Sequence, residues 1–221
     1  MTAQLRGDIL RCQLAPGARL RTMALCKEFG VSLAVVREAL SKLTAEGLVT
    51  ADPQRSFCVT PVSIGELEDL TWIRIQLDGL ALREAIARGD VDWETSIVAA
   101  FHRLSRTPHF SDATARTKSE DWAQAHAAFH LALISACGSP SLLQLREGLF
   151  ARSERYRRLS GLVEGPRRDV EGEHRAIMDA TLGRNAPLAV ELLDRHLQLT
   201  TDLVRATFGE PDLQVDLPRP R

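Results

Sequence analysis

The stretch RTMALCKEFGVSLAVVREALSKLTAEGLVT, residues 21–50, decides how the first part of the chain folds. Val36, Ala39, Leu40 and Leu43 recur at helical spacing, which predicts a helix from Ser32, its N-cap, to Glu46, ended by Gly47. A helix before it closes at Phe29, with Gly30 just past its end, where a left-handed backbone is easiest for glycine. Two helices across so short a turn have helix–turn–helix spacing. Ala34, Arg37, Ser41 and Lys42 lie on or beside the face opposite the apolar stripe. Upstream, residues 2–12 form a short helix closed by the turn signal Ala15-Pro16-Gly17. Downstream, residues 48–62 alternate and turn at Asp52-Pro53, which predicts a two-stranded wing with Arg55 near its tip.

With 221 residues, 44% of them hydrophobic, the chain can bury two small cores. The formal net charge of −1 creates no global basic field. It is unevenly spread, however: residues 1–62 carry a net +3 and the rest −4. Cys12, Cys26, Cys58 and Cys137 form no CxxC pair, so they read as reduced thiols. The first residues contain no apolar signal segment, and no apolar run reaches the roughly 18 residues of a membrane span. A cytoplasmic protein without a membrane partner is expected.

After residue 62 the pattern is almost wholly helical, with candidate helices over 64–88, 91–106, 119–137, 140–160, 167–183 and 187–207. Short connections between them predict an antiparallel bundle. The expected fold is therefore mainly α: a winged helix–turn–helix domain over 1–62, an all-helical domain over 63–208, and a disordered tail over 209–221. The joint between the domains falls at Pro61 to Gly65.

A helix–turn–helix with a wing is a shape that docks its second helix in the DNA major groove. The wording resembles the winged helix of GntR-type transcriptional regulators, carried here by Pro16, Gly17, Leu20, Gly30, Val31, Ser32, Val36, Arg37, Glu38, Ala39, Leu40, Leu43, Glu46, Gly47 and Leu48. The match covers most of residues 5–60. It implies that Ser32, Leu33, Ala34, Val35, Arg37 and Arg55 face DNA. Relatives commonly have Arg-Thr-Pro where this chain has Leu33, Ala34 and Val35, and a wing glycine where it has Ser56. Apolar contact with thymine methyls would then replace hydrogen-bond readout at the start of the helix, while Arg37 and Arg55 anchor phosphates.

The six histidines sort by helical phase. His126 and His130 share the apolar face of 122–139, WAQAHAAFHLALISACGS, while His174 and His196 fall on the apolar faces of the last two helices. His102 points away from its helix's apolar face, and His109 follows Pro108 in a loop; both are expected to be solvated. A single inward histidine needs only one hydrogen-bond partner. Four on three helices of one bundle are harder to bury separately, and one divalent metal satisfies all four. All-imidazole ligation suits Zn²⁺ or Ni²⁺.

The bundle resembles the FadR-C-terminal (FCD) effector domain, in which an Asp-x3-His pair and two later histidines often hold a metal beneath a small carboxylate. Matched position by position, His130, His174 and His196 are that family's histidines, and His126 stands where relatives have aspartate. A narrower resemblance, over 126–157, is to the glutarate-responsive branch of these repressors. The resemblance also implies a pocket arginine at Arg74. Arg152, Tyr156 and Arg146 are further candidates for holding an effector carboxylate.

Three classes of function follow. The leading one is a dimeric, one-component repressor that presents two winged helices to a palindromic operator and is released by a dicarboxylate such as glutarate or by a hydroxy acid. The second is a metal-dependent hydrolase with Glu173 or Asp179 as base, although the HxxxH here lacks the glutamate of HExxH. The third is a metal-free interaction or structural protein.

Overall fold

The computed structural model describes residues 1–51, 56–112, 117–160 and 168–208. Its first part is built from α1 (Thr2–Leu10), β1 (Arg19–Leu20), α2 (Thr22–Phe29), α3 (Leu33–Ala45), β2 (Val49–Ala51) and β3 (Phe57–Val59). Gly30 joins α2 to α3 at φ 63° and ψ 34°, a left-handed conformation that spares a side chain from strain. Leu5, Ile9, Leu25, Val36, Leu40 and Leu43 close one small core beneath the sheet. That sheet has three strands rather than the two expected. β3 pairs antiparallel with β2 on one side and with β1, at Arg19↔Cys58 and Leu20↔Phe57, on the other. The wing tip predicted around Arg55 lies outside the described residues.

The second part runs through α4 (Ile64–Arg88), α5 (Val91–Arg106), β4 (Phe110–Asp112), β5 (Thr117–Lys118), α6 (Glu120–Ile134), α7 (Pro140–Ser160), α8 (Val170–Leu182) and α9 (Ala186–Phe208). The side chains of Ser63, Asp90, Ser119 and Asp169 each accept a hydrogen bond from a backbone N–H of the first turn they cap, which sets four of the helix starts. The β4–β5 pair, absent from the sequence reading, occupies the connection before α6. α6 ends at Ile134, three residues before the expected limit. The bundle core runs from Leu82 and Ile97 through Phe129, Leu133, Ile177 and Leu193.

A third, smaller cluster ties the two parts together. Val62, Ile64, Leu67, Leu70, Tyr156 and Val204 are buried as one group, with Cys12 and Leu149 packed against them. The four cysteines are free. Among the described residues no helix is long and apolar enough to cross a membrane.

Candidate metal centre and recognition helix

α6 places His126 and His130 one turn apart, α8 contributes His174 near its start, and α9 contributes His196 at mid-length. All four rings are buried, at 5% exposure or less. Each offers one ring nitrogen such that these atoms lie within 4.8 Å of one another. The Nε2 atoms of His126 and His130 approach to 3.1 Å. Ring centroids of His174 and His196 are 4.6 Å apart, and Trp122 stacks on His126 at 4.7 Å.

Burial drives every one of these imidazoles below its ordinary pKa; His130 adds to the lowering at His126, and His196 adds to it at His130 and His174, whereas at His196 itself the hydrogen bond to Glu173 opposes it. The rings are therefore held neutral, the form in which imidazole binds a metal. Two buried nitrogens, His126 Nδ1 and His174 Nε2, have no hydrogen-bond partner among the described residues. An unsatisfied buried group costs about 1–3 kcal/mol, which a coordinated ion offsets. The donor set fits a borderline divalent ion: four neutral nitrogens at close quarters, with no carboxylate among them.

His196 has a defined orientation. Its Nδ1 lies 2.8 Å from Glu173 Oε2, and Arg168 clamps that carboxylate with Nε 2.6 Å from Oε1 and Nη2 2.5 Å from Oε2, the latter also 3.2 Å from His196 Nδ1. Burial raises the Glu173 pKa, but the hydrogen bonds from His196 and Arg168 outweigh it and bring the group to about 2.

Beside the histidines is a charged layer. Arg74 Nη2 donates to Asp78 at 2.9 Å, and Arg146 Nε donates to the same carboxylate at 3.2 Å. All three side chains are nearly closed to water. The Phe150 ring lies under both guanidiniums, at 4.3 Å from Arg146 and 5.1 Å from Arg74, and 6.2–6.3 Å from the His126 and His130 rings. Thus Arg74 and Arg146 converge on the histidine centre.

Arg152 and Tyr156 do not join them. Arg152 pairs with Glu66 at 2.7 Å, and the Tyr156 hydroxyl donates to that same carboxylate while accepting from the Ser63 N–H at 3.2 Å. This places both at the junction with the winged helix. Gly47, at φ 71°, ends α3 there, and a Cβ on it would meet the Arg152 side chain at 3.6 Å.

Asp78 and Phe150 were not singled out in the sequence. A signal existed for each, since Asp78 stands four residues after Arg74 and Phe150 four after Arg146. His102 is exposed as expected. His109 is not a solvated loop residue: it is half-buried, its ring 4.1 Å from Trp122.

On α3, Ser32 sits at the N-cap in an extended conformation without closing a side-chain cap on the helix. Ser32, Leu33, Ala34, Val35 and Arg37 are all exposed, with Leu33 at 38% and Val35 at 44%. Arg37 has no ion pair among the described residues, whereas Lys42 pairs with Glu38 at 2.7 Å. α3 thus presents one bare edge, apolar at its start and cationic one turn on.

Comparison with known proteins bears on both parts. The family model described as bacterial regulatory proteins, gntR family, matches residues 1–59, and that of the FCD domain matches residues 69–199. The chain is 40% identical to the uncharacterized HTH-type transcriptional regulator BphR of Paraburkholderia xenovorans, over 93% of this chain and 84% of that one. It is 36% identical to the HTH-type transcriptional repressor GlaR of Escherichia coli, over 93% and 94%. The solved structure of E. coli McbR/YncC shares the fold, with a TM-score of 0.74 at 21% identity, over 94% of this chain and 98% of that one. These relatives are regulators rather than enzymes, so the hydrolase alternative falls away. The chain belongs to the gntR family of bacterial transcriptional regulators and carries that family's DNA-binding helix–turn–helix together with an FCD domain.

Proposed function

We propose that the protein is a repressor whose grip on a palindromic operator is released when a small carboxylate binds over a divalent metal held by His126, His130, His174 and His196. The carrying observation is the juxtaposition of four buried neutral imidazoles with the Arg74–Asp78–Arg146 layer. In that layer two cations share one carboxylate, an excess of positive charge that favours an anionic ligand. When bound, a divalent ion in the four-histidine set supplies Lewis acidity without neutralising ligand charge. Zn²⁺ and Ni²⁺ suit the imidazole donors.

This chain's residues divide the remaining work. Arg74 and Arg146 meet a carboxylate, Phe150 fixes the planes of their guanidiniums, and the apolar wall of Trp122 and Phe129 keeps water out. A dicarboxylate such as glutarate, or a hydroxy acid, offers oxygens to both the metal and the arginines. Residues 1–62 serve as the DNA-binding domain and 63–208 as the effector domain. The effector domain also forms the homodimer, for which the exposed Trp72, Leu80 and Leu145 offer apolar surface. Two winged helices then meet two half-sites, and effector binding shifts the population of their spacings.

The test is a thermal-shift screen of C4–C6 dicarboxylates and hydroxy acids on the metal-loaded protein, followed by operator retardation with each hit. A ligand of the native state raises the melting temperature and should release the operator. Stoichiometric metal missing from the purified protein, or an operator complex indifferent to every hit, would sink the reading.

A further inference from the structure

The four nitrogen donors carry no charge, and one of them is held differently from the rest. The Nδ1 of His196 lies 2.8 Å from Glu173 Oε2. Arg168 Nη2 also lies 3.2 Å from that Nδ1, but it already donates to Glu173 Oε2 and to the His196 carbonyl, and the carboxylate contact is the shorter. An ionised carboxylate only accepts, so the proton of His196 resides on Nδ1 and its Nε2 carries the free lone pair. Glu173 is itself clamped by Arg168, whose Nε donates to Oε1 at 2.6 Å and whose Nη2 donates to Oε2 at 2.5 Å. The same guanidinium donates to the His196 carbonyl at 2.8 Å and to Thr200 Oγ1 at 2.8 Å, two acceptors one turn apart on α9. Glu173 is also the neighbour of the ligand His174 on α8. One carboxylate and one guanidinium thus lock the register of the two helices that supply His174 and His196.

We infer that Glu173 and Arg168 are the positioning residues of the metal centre: Glu173 fixes His196 as an Nε2 donor and strengthens its basicity, and Arg168 holds Glu173 in place to do so. This rests on the metal reading above. It assigns the site's nearest compensating negative charge to a residue that touches no metal, where the ligand set has none of its own. The general basis is that a ligating histidine donates its other N–H to a carboxylate or carbonyl, which sets its tautomer and raises its donor strength. The other three histidines have no such carboxylate among the described hydrogen bonds, so the effect is confined to one corner of the set.

The experiment is competition for Zn²⁺ between the full-length protein and a chromophoric chelator, run on wild type, Glu173→Gln, Glu173→Ala and Arg168→Ala. Alongside it, ring ¹⁵N NMR of the metal-free proteins reads the tautomer of His196. Glu173→Gln keeps shape and removes charge, and it should bind Zn²⁺ about 10–100-fold more weakly than wild type. Glu173→Ala should in addition lose the single Nδ1–H tautomer at His196, and Arg168→Ala should fall between wild type and Glu173→Ala. Far-ultraviolet dichroism of each metal-free variant should match wild type, separating misfolding from lost positioning.

Wild-type affinity in both Glu173 variants, or an unchanged His196 tautomer in Glu173→Ala, overturns the assignment while leaving the metal centre standing. Wild-type protein that takes up no Zn²⁺ overturns the metal reading, and this assignment with it.

Discussion

Arg146 Nε donates to Asp78 Oδ1 at 3.2 Å across 68 residues of sequence, with both side chains almost fully withdrawn from water. Because Arg74 holds the other oxygen of the same carboxylate at 2.9 Å, Asp78 is the shared counter-charge of two buried cations. Removing it leaves both uncompensated, a situation that costs about 3–5 kcal/mol when one partner of a buried pair is lost. Asp78→Ala should lower stability by that amount in a urea titration. A loss below about 1 kcal/mol, the range of exposed pairs, would mean that the layer is open to solvent.

The histidines predict the behaviour of metal. His174→Ala and His196→Ala should each fall well below stoichiometric metal after purification, and the rise in melting temperature on adding Zn²⁺ should disappear. Elemental analysis and a thermal melt with and without Zn²⁺ check this, and full occupancy in both variants would dismantle the site as drawn.

A pH prediction follows from the same rings. Burial holds each folded-state pKa below its ordinary 6.5. The unfolded chain therefore takes up protons near pH 6.5 while the folded one does not. The associated stability is fully present above that pH and is lost as pH falls through the folded-state values. Melting temperature of the metal-free protein should drop between pH 7.5 and 5.5, and His130→Leu should flatten the drop. Glu173, at about 2 when folded against an ordinary 4.5, acts in the same direction only below the range scanned.

At the junction, Tyr156 donates to Glu66 and accepts from the Ser63 N–H. Burial, followed by the Glu66 carboxylate, raises the tyrosine's pKa, so the hydroxyl keeps its proton. α7 carries Arg146 and Phe150 at the charged layer and Arg152 and Tyr156 at this joint, so one helix touches both. Tyr156→Phe should cost about 1.5–3 kcal/mol, the range for a hydrogen bond to a charged group, with metal content unchanged. It should also shift by several-fold the effector concentration that releases the operator in a retardation titration. An unshifted midpoint would take α7 out of the coupling.

On the recognition helix, Arg37→Ala should weaken operator binding at least tenfold and reduce the salt dependence by about one phosphate contact. Its melting temperature should stay at the wild-type value, because Arg37 is exposed. Undiminished retardation would remove α3 from the interface.

Much of this was legible in the sequence for a local reason. Helical period places Val36, Leu40 and Leu43 on one side of α3, and leaves Leu33, Val35 and Arg37 outside, whatever the rest of the chain does. The same period makes His126 and His130 neighbours and turns His174 and His196 inward. The short strand β1 and the β4–β5 pair were not legible, because two or three residues carry no periodicity and gain order only from a partner strand. His109 was misjudged because its cover, Trp122, comes from another element.

The arginines of α7 mark the boundary between the two kinds of knowledge. Arg146 and Arg152 are six residues apart, about 240° around a helix at roughly 100° per residue, and the arginine-rich wording assigns neither a partner. Only the antiparallel packing of α7 on α4 brings Arg146 to Asp78 and Arg152 to Glu66. Within a helix, period alone tells which residues face inward, since that follows from backbone geometry within one element. Which charges meet there was decided by tertiary structure, since ion pairing depends on distances between elements that no local repeat encodes.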